Sequence, residues 1–255
     1  MTTRRAEMLK EMGLAPVWRL RESPPGPDHV AAAEPAALPV ADSQPPLSGH
    51  ESPIFSDRRS VIMRMDWPEL KASVAGCTSC ALHANRNKTV FGVGDENADW
   101  LFVGEGPGAE EDAQGEPFVG QAGKLLDSML AAIGLKRGQN VYIANVVKCR
   151  PPGNRNPEHQ EALACEPYLQ RQIELIGPRL IVAMGRVAAV NLLAREASIA
   201  SLRGKLHEYR GIRLIVTYHP AYLLRNLPDK AKAWVDLCFA VETMKGLQSA
   251  QSTTI

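Results

Sequence analysis

Short apolar, β-rich runs alternate with helical patterns from Trp67 onward, and that alternation restricts the fold more than any other feature of the chain. The pattern predicts strands over 100–103, 141–147, 180–184 and 213–218, with helices over 123–133, 158–176, 186–195 and 230–245. Strands separated by helices imply a mostly parallel sheet covered on both faces, a three-layer α/β/α arrangement. In such sheets ligands bind beyond the carboxyl ends of the strands, so the residues that follow each run are the place to look for a site.

The amino-terminal part does not share this pattern. Residues 22–53 hold 8 of the chain's 19 prolines among Ala, Ser and acidic residues, which reads as an extended, disordered linker. Before it, Met8, Leu9 and Met12 share one side of a short helix over 5–14, with Trp18 beyond, the look of a docking segment. The expected organisation is a Pro/Ala-rich extension over 1–65, a folded domain over 66–246 and a flexible tail over 247–255. No apolar run approaches the roughly 20 residues that cross a bilayer, and the first residues lead into no signal-peptide core. A cytoplasmic protein is expected. Net charge is +1, but residues 66–145 carry 6 basic and 11 acidic side chains and residues 146–230 carry 13 and 7. A basic second half suits a phosphate-backbone partner.

Four cysteines are interleaved with the α/β pattern: Cys77 and Cys80 as a Cys-x2-Cys pair, then Cys149 and Cys165. In a cytoplasmic chain such a set reads as a four-thiolate metal site, either zinc or an iron–sulfur cluster. Spacing alone ranks zinc first. Cys238 sits in an apolar helical run and reads as a small buried hydrophobe.

The strand ends carry polar groups. Gly104-Glu105-Gly106-Pro107-Gly108 follows the first run, Asn145 stands near the end of the second ahead of Lys148-Cys149-Arg150, and His219-Pro220 follows the fourth. A carboxylate, an amide and an imidazole thus meet at one rim, beside a glycine-rich turn that admits a ligand to the backbone. Two nucleotide readings fail. Gly123-Lys124 is followed by Leu125 where a P-loop needs Ser or Thr, with Phe118 in place of its first Gly. Gly104-x-Gly106-x-x-Ala109 is a loose dinucleotide fingerprint, but Pro107 lacks a donor and Glu110-Glu111-Asp112 would repel a pyrophosphate.

Four long motifs, in order and interleaved with the cysteines, give the chain from about Cys77 to Gly246 its resemblance. They are Gly104-Glu105-Gly106-Pro107-Gly108, Gly115-x-Pro117-Phe118-Val119-Gly120-x-Ala122-Gly123, Asn145-Val146-Val147-Lys148-Cys149-Arg150-Pro151-Pro152 and His219-Pro220-Ala221-Tyr222-Leu223-Leu224-Arg225. With these it resembles the iron–sulfur uracil-DNA glycosylases, family 4 of their superfamily. The resemblance does not cover residues 1–65.

What the resemblance implies is specific. It implies a monofunctional DNA-repair hydrolase that flips uracil out of DNA and cleaves its N-glycosidic bond, leaving an abasic site. It implies a [4Fe–4S] cluster on Cys77, Cys80, Cys149 and Cys165 in place of zinc. Glu105 would serve the attacking water or the sugar cation, with His219 facing uracil O2 as its catalytic partner. Phe118 would stack on the base, Asn145 would read its edge, and the backbone of Gly104 to Gly106 would complete the pocket. Tyr222, Leu223, Leu224 and Arg225 would enter the duplex, and Arg150 and Arg155, on a loop the cluster anchors, would meet phosphates. Should Glu105 not position the water, Glu111 or Asp112 come next. The expected partner is uracil-containing DNA, single- or double-stranded, bound by a monomer, with the extension free to dock a repair or replication partner.

Two alternatives share the fold. Covalently trapping relatives carry a Lys-Arg-Arg-Ile-His insert, whereas this chain has Pro152-Gly153-Asn154-Arg155-Asn156, with His159 nearby in different text. A non-catalytic DNA-binding module is the other.

Overall fold

A computed structural model describes residues 53–252; the docking segment and nearly all of the Pro-rich stretch lie outside them. Two helices come first, α1 (Pro53–Ile62) and α2 (Trp67–Ala75). Asp66 caps α2: its carboxylate accepts from the Glu69 N–H while the Glu69 carboxylate accepts from the Asp66 N–H. Then follow β1 (Val93–Gly94), β2 (Trp100–Gly104), α3 (Ala109–Gln114), α4 (Gln121–Ala132), β3 (Val141–Asn145), α5 (His159–Ile176) and β4 (Leu180–Met184). The order ends with α6 (Arg186–Leu193), α7 (Ile199–Leu202), β5 (Leu206–Tyr209), β6 (Ile212–Thr217), α8 (Pro220–Arg225) and α9 (Lys230–Ser252).

The described sheet runs β1-β3-β2-β4-β6-β5. β3, β2, β4 and β6 are parallel, and the antiparallel strands β1 and β5 close the two edges. Every residue of β2, β3 and β4 is buried, as befits strands covered on both faces. Two apolar clusters fill the space between sheet and helices. Leu101, Val103, Tyr142 and Ile181 face one, with Tyr168 and Ile173 of α5. Phe102, Ile143, Val182 and Ile215 face the other, with Leu126 and Leu130 of α4. β3 lies to one side of β2 and β4 to the other, so the chain reverses its direction of travel across the sheet there. That reversal opens a crevice at the strands' carboxyl ends.

The four runs that the sequence predicts as strands are the four parallel strands. Composition had assigned residues 53–62 to the extension, yet they form α1, which packs on α5. Arg59 bridges to Glu166 and Gln170, and Arg58 donates to the Ala164 carbonyl (2.9 Å) with its guanidinium over the Tyr168 ring. Among the described residues no helix is long and apolar enough to cross a membrane.

Candidate active site and thiol cluster

Gly104 ends β2 and Asn145 ends β3, paired in register. A Cβ on Gly104 would lie 2.5 Å from Asn145 Oδ1 and 2.5 Å from the Phe118 ring, so only glycine lets these three meet. Asn145 and Phe118 line a cavity of about 650 Å³ that also takes in Glu105, Glu111, His219, Tyr222 and Arg225. The rim inferred from sequence is therefore one site.

Asn145 is 1% exposed, and its Oδ1 alone, among buried side-chain nitrogen and oxygen atoms of the described residues, has no hydrogen-bond partner. A buried acceptor without a donor is costly, so it marks a place for a ligand N–H. The backbone of Asn145 is held from behind. The fully buried Lys148 ammonium donates to its carbonyl (2.9 Å) and to Gln172 Oε1 (2.6 Å), and Gln172 donates on to the Phe91 carbonyl (3.0 Å). Burial lowers the Lys148 pKa to about 8 against the pull of the Cys165 and Cys149 thiols.

His219 caps α8. Its Nδ1 accepts from the Ala221 N–H (3.1 Å), so the neutral ring carries its proton on Nε2. Burial, assisted by the nearby Arg225 charge, lowers the His219 pKa to about 4, which keeps the ring neutral at physiological pH. The Phe118 ring stands 5.5 Å from it, inclined at 31°. Glu105 sits in the turn after β2, and burial raises its carboxyl above the ordinary value of 4.5.

Phe118 is buried with a left-handed backbone (φ 56°), an unusual conformation for an aromatic residue. Gly123 makes room for it, since a Cβ there would fall 1.8 Å from the Phe118 carbonyl oxygen. The glycine of the false P-loop thus serves internal packing. Glu111 accepts from the N–H groups of Gly108 (3.1 Å), Val119 (3.0 Å) and Gly120 (3.0 Å). Asp112 is fully buried and accepts from the backbone N–H groups of Asn87 and Lys88 and from the Asn87 amide. Both carboxylates are committed to the scaffold, which removes them as substitutes for Glu105 in handling water.

Two residues expected to meet DNA stand differently. Leu223 is 1% exposed and belongs to the interior of α8, because one face of that helix packs on α4; Leu224, at 41%, is the leucine that reaches solvent. Arg155 forms a two-pronged pair with Glu161 (2.7 and 2.8 Å) and a further pair with Glu158 (3.2 Å), so its charge is answered within the protein. It latches the loop to the start of α5. Tyr222 keeps a place on the cavity wall, stacked on Tyr218 (5.1 Å) with its hydroxyl donating to Asp229 (2.6 Å). Arg225 also lines the cavity, and Arg150 donates to Asn154 Oδ1 (2.7 Å) across the loop. Tyr218 and the Arg203 guanidinium over its ring escaped the sequence reading, since nothing in the text ties them to the rim.

Cys77, Cys80, Cys149 and Cys165 line one small pocket between the segment after α2, the loop after β3 and α5, and none is in a disulfide. Arg86 donates to Cys149 Sγ (3.2 Å) and to the carbonyls of Cys77 (2.7 Å) and Ala75 (3.1 Å). The Lys148 N–H points at Cys165 Sγ (3.3 Å) and Arg58 lies 3.8 Å from Cys77 Sγ. Burial pushes the thiols of Cys80, Cys149 and Cys165 up, the last to about 12. Among the described residues no three His, Cys, Asp or Glu side chains converge closely enough to hold a single metal ion. Cys238 is half-buried on α9, away from this set.

Comparison with known proteins agrees with this arrangement. The sequence model of the uracil DNA glycosylase superfamily matches residues 91–240. A type-4 uracil-DNA glycosylase of Archaeoglobus fulgidus is 47% identical over 164 residues, covering 61% of this chain and 82% of the relative. One of Thermotoga maritima is 48% identical (62% and 83% covered), and one of Pyrobaculum aerophilum 43% (64% and 86%). The matched region contains the cavity, and on these grounds the chain belongs to the uracil DNA glycosylase superfamily and, within it, to the type-4 uracil-DNA glycosylases.

Proposed function

We propose that this protein excises uracil from DNA, hydrolysing the N-glycosidic bond and releasing the free base. The observation that carries the reading to this site is the orphan Oδ1 of Asn145 at the base of a cavity walled by Phe118 and His219. Uracil offers N3–H to that oxygen and O4 to the Asn145 amide N–H, while thymine's methyl and cytosine's reversed edge fit worse. Phe118 stacks on the base. A base inside a duplex cannot reach this cavity, so the nucleotide is flipped out, and Leu224 is the side chain available to fill the gap.

As the C1′–N1 bond breaks, its electron pair leaves with uracil and positive charge gathers on the sugar. The His219 Nε2–H donates toward O2 and steadies the departing anion without giving up its proton. Glu105 faces the sugar and takes a proton from water as the oxygen adds to C1′. Glu105 then returns that proton to solvent as uracil takes one up, so water is split between the two products. Among the described residues that line the cavity none is a lysine that could serve as an amine nucleophile for strand cleavage.

Cys77, Cys80, Cys149 and Cys165 would hold a [4Fe–4S] cluster. Four thiols outside any disulfide around one pocket, Cys149 and Cys165 buried and Cys77 and Cys80 half-buried, with Arg86 and the Lys148 N–H directed at sulfurs, support this reading beside the type-4 membership. When bound, the group cross-links the loop after β3 to α5 and the segment after α2. The Arg155–Glu161 latch holds the same loop from its other end. Arg225 on the cavity wall and Arg150 on the loop after β3 would offer charge to phosphates.

Uracil release from a labelled oligonucleotide tests the reading. Free base with an abasic product supports it; a stable covalent adduct indicates a trapping relative, and binding without turnover a non-catalytic module.

A further inference from the structure

Glu111 and Arg137 approach the same strained turn from opposite sides. Glu111 Oε1 accepts from the N–H groups of Val119 and Gly120, and its Oε2 from the Gly108 N–H in the turn that bears Glu105. Arg137, from the loop after α4, donates to the carbonyls of Pro117 (2.9 Å) and Phe118 (2.8 Å), and Asp127 holds its guanidinium (2.9 Å). The carbonyl before Phe118, its own carbonyl and the two N–H groups after it are therefore all held. Between these anchors Phe118 keeps a left-handed backbone that aromatic residues avoid unless their surroundings impose it. Extended backbone at 118 would swing the ring out of the cavity wall.

We propose that Glu111 and Arg137 are positioning residues that lock Phe118 in its left-handed conformation, so that the wall on which the flipped base stacks is built before DNA arrives. Neither need touch substrate. The Gly108 bond adds a second consequence: the same carboxylate ties the base-side turn to the water-side turn that carries Glu105. This proposal rests on the uracil reading of the site.

The test measures affinity for DNA bearing 2′-fluoro-2′-deoxyuridine, whose glycosidic bond resists hydrolysis, relative to DNA bearing a tetrahydrofuran abasic analogue. Glu111→Ala should weaken the first by roughly tenfold and leave the second unchanged, because only the first offers a base to stack. Glu111→Gln should keep most of the base affinity, since its amide oxygen can still accept from Val119 and Gly120 while its NH2 loses only the bond from the Gly108 N–H. A carboxylate acting through its charge would lose as much in Gln as in Ala. Arg137→Met attacks the clamp from the other side and keeps the test decisive if Glu111→Ala does not fold. It should give the same selective loss, and the double variant should be little worse than either single one. Parent-like base affinity in a folded Glu111→Ala or Arg137→Met, or equal loss on both DNAs, overturns the clamp. Failure of the parent itself to release uracil overturns the functional reading beneath it.

Discussion

Gly104 and Asn145 are neighbours on adjacent parallel strands, and a side chain on the first would lie 2.5 Å from the amide oxygen of the second. The close approach explains why the glycine-rich turn begins where it does: the first glycine makes room for the Asn145 amide oxygen and the Phe118 ring.

Gly104→Ala should therefore close the site. Its methyl collides with Asn145 Oδ1 and the Phe118 ring at once, and over-packing of this kind costs about 1–3 kcal/mol. Uracil release should fall by at least about a hundredfold while the variant stays folded, with a melting temperature reduced by several degrees. Calorimetry paired with the release assay checks both, and parent-like turnover would show that the base does not pass over Gly104.

Glu105→Gln separates catalysis from stability. Burial raises the Glu105 carboxyl in the folded protein above its ordinary 4.5, so its contribution to stability is present below that value and lost as pH rises through the folded value. At pH 7 the Gln variant should melt higher than the parent yet turn over far more slowly. For the parent, kcat should rise with pH through an inflection above 4.5. An inflection at or below 4.5 would remove Glu105 as the group that handles water.

His219 should act as a neutral donor. Its pKa of about 4 places the acid loss of its hydrogen bond below the Glu105 inflection, so the kcat profile should show no step near 6.5. Because the folded value is depressed, its stability contribution is full above about 6.5 and declines as pH falls toward 4. Removing the donor in His219→Ala should cost roughly 10²–10³ in rate. Nitrogen-15 NMR of the ring across this range reads the titration directly.

Much of this site was legible in the sequence, because a residue at the end of a predicted parallel strand has only one place to go. Asn145, Glu105 and His219 follow from that rule, and the four thiols from their spacing and the motifs around them. What escaped depends on partners distant in sequence. The acidic run Glu110-Glu111-Asp112 reads as a repulsive patch or a reserve of bases until Glu111 is seen holding Val119 and Gly120 and Asp112 holding Asn87. Arg155 reads as a phosphate ligand until Glu161 is found beside it, and Leu223 as a wedge until the packing of α8 turns it inward. Helix α1 was hidden by the prolines beside it, and the edge strands β1 and β5 by shortness and half-exposed faces.

The thiol pocket makes its own prediction. Anaerobically purified protein should be brown and yield about four iron and four sulfide per chain. Cys165→Ala should lower metal content, solubility and DNA affinity together, since the loop carrying Cys149 loses its tie to α5. One zinc and no sulfide in fresh protein would reject the cluster.

The central claim is that Asn145 reads the base, and Asn145→Asp tests it most directly. The substitution keeps the oxygen that uracil N3–H would meet but replaces the amide donor with a second acceptor facing O4. Uracil release from single-stranded DNA should fall by about 10³ or more, weak cytosine release should appear, and affinity for abasic DNA, which has no base edge, should hold. Uracil release at the parent rate would contradict the account and leave Asn145 a strand-end residue with no part in recognition.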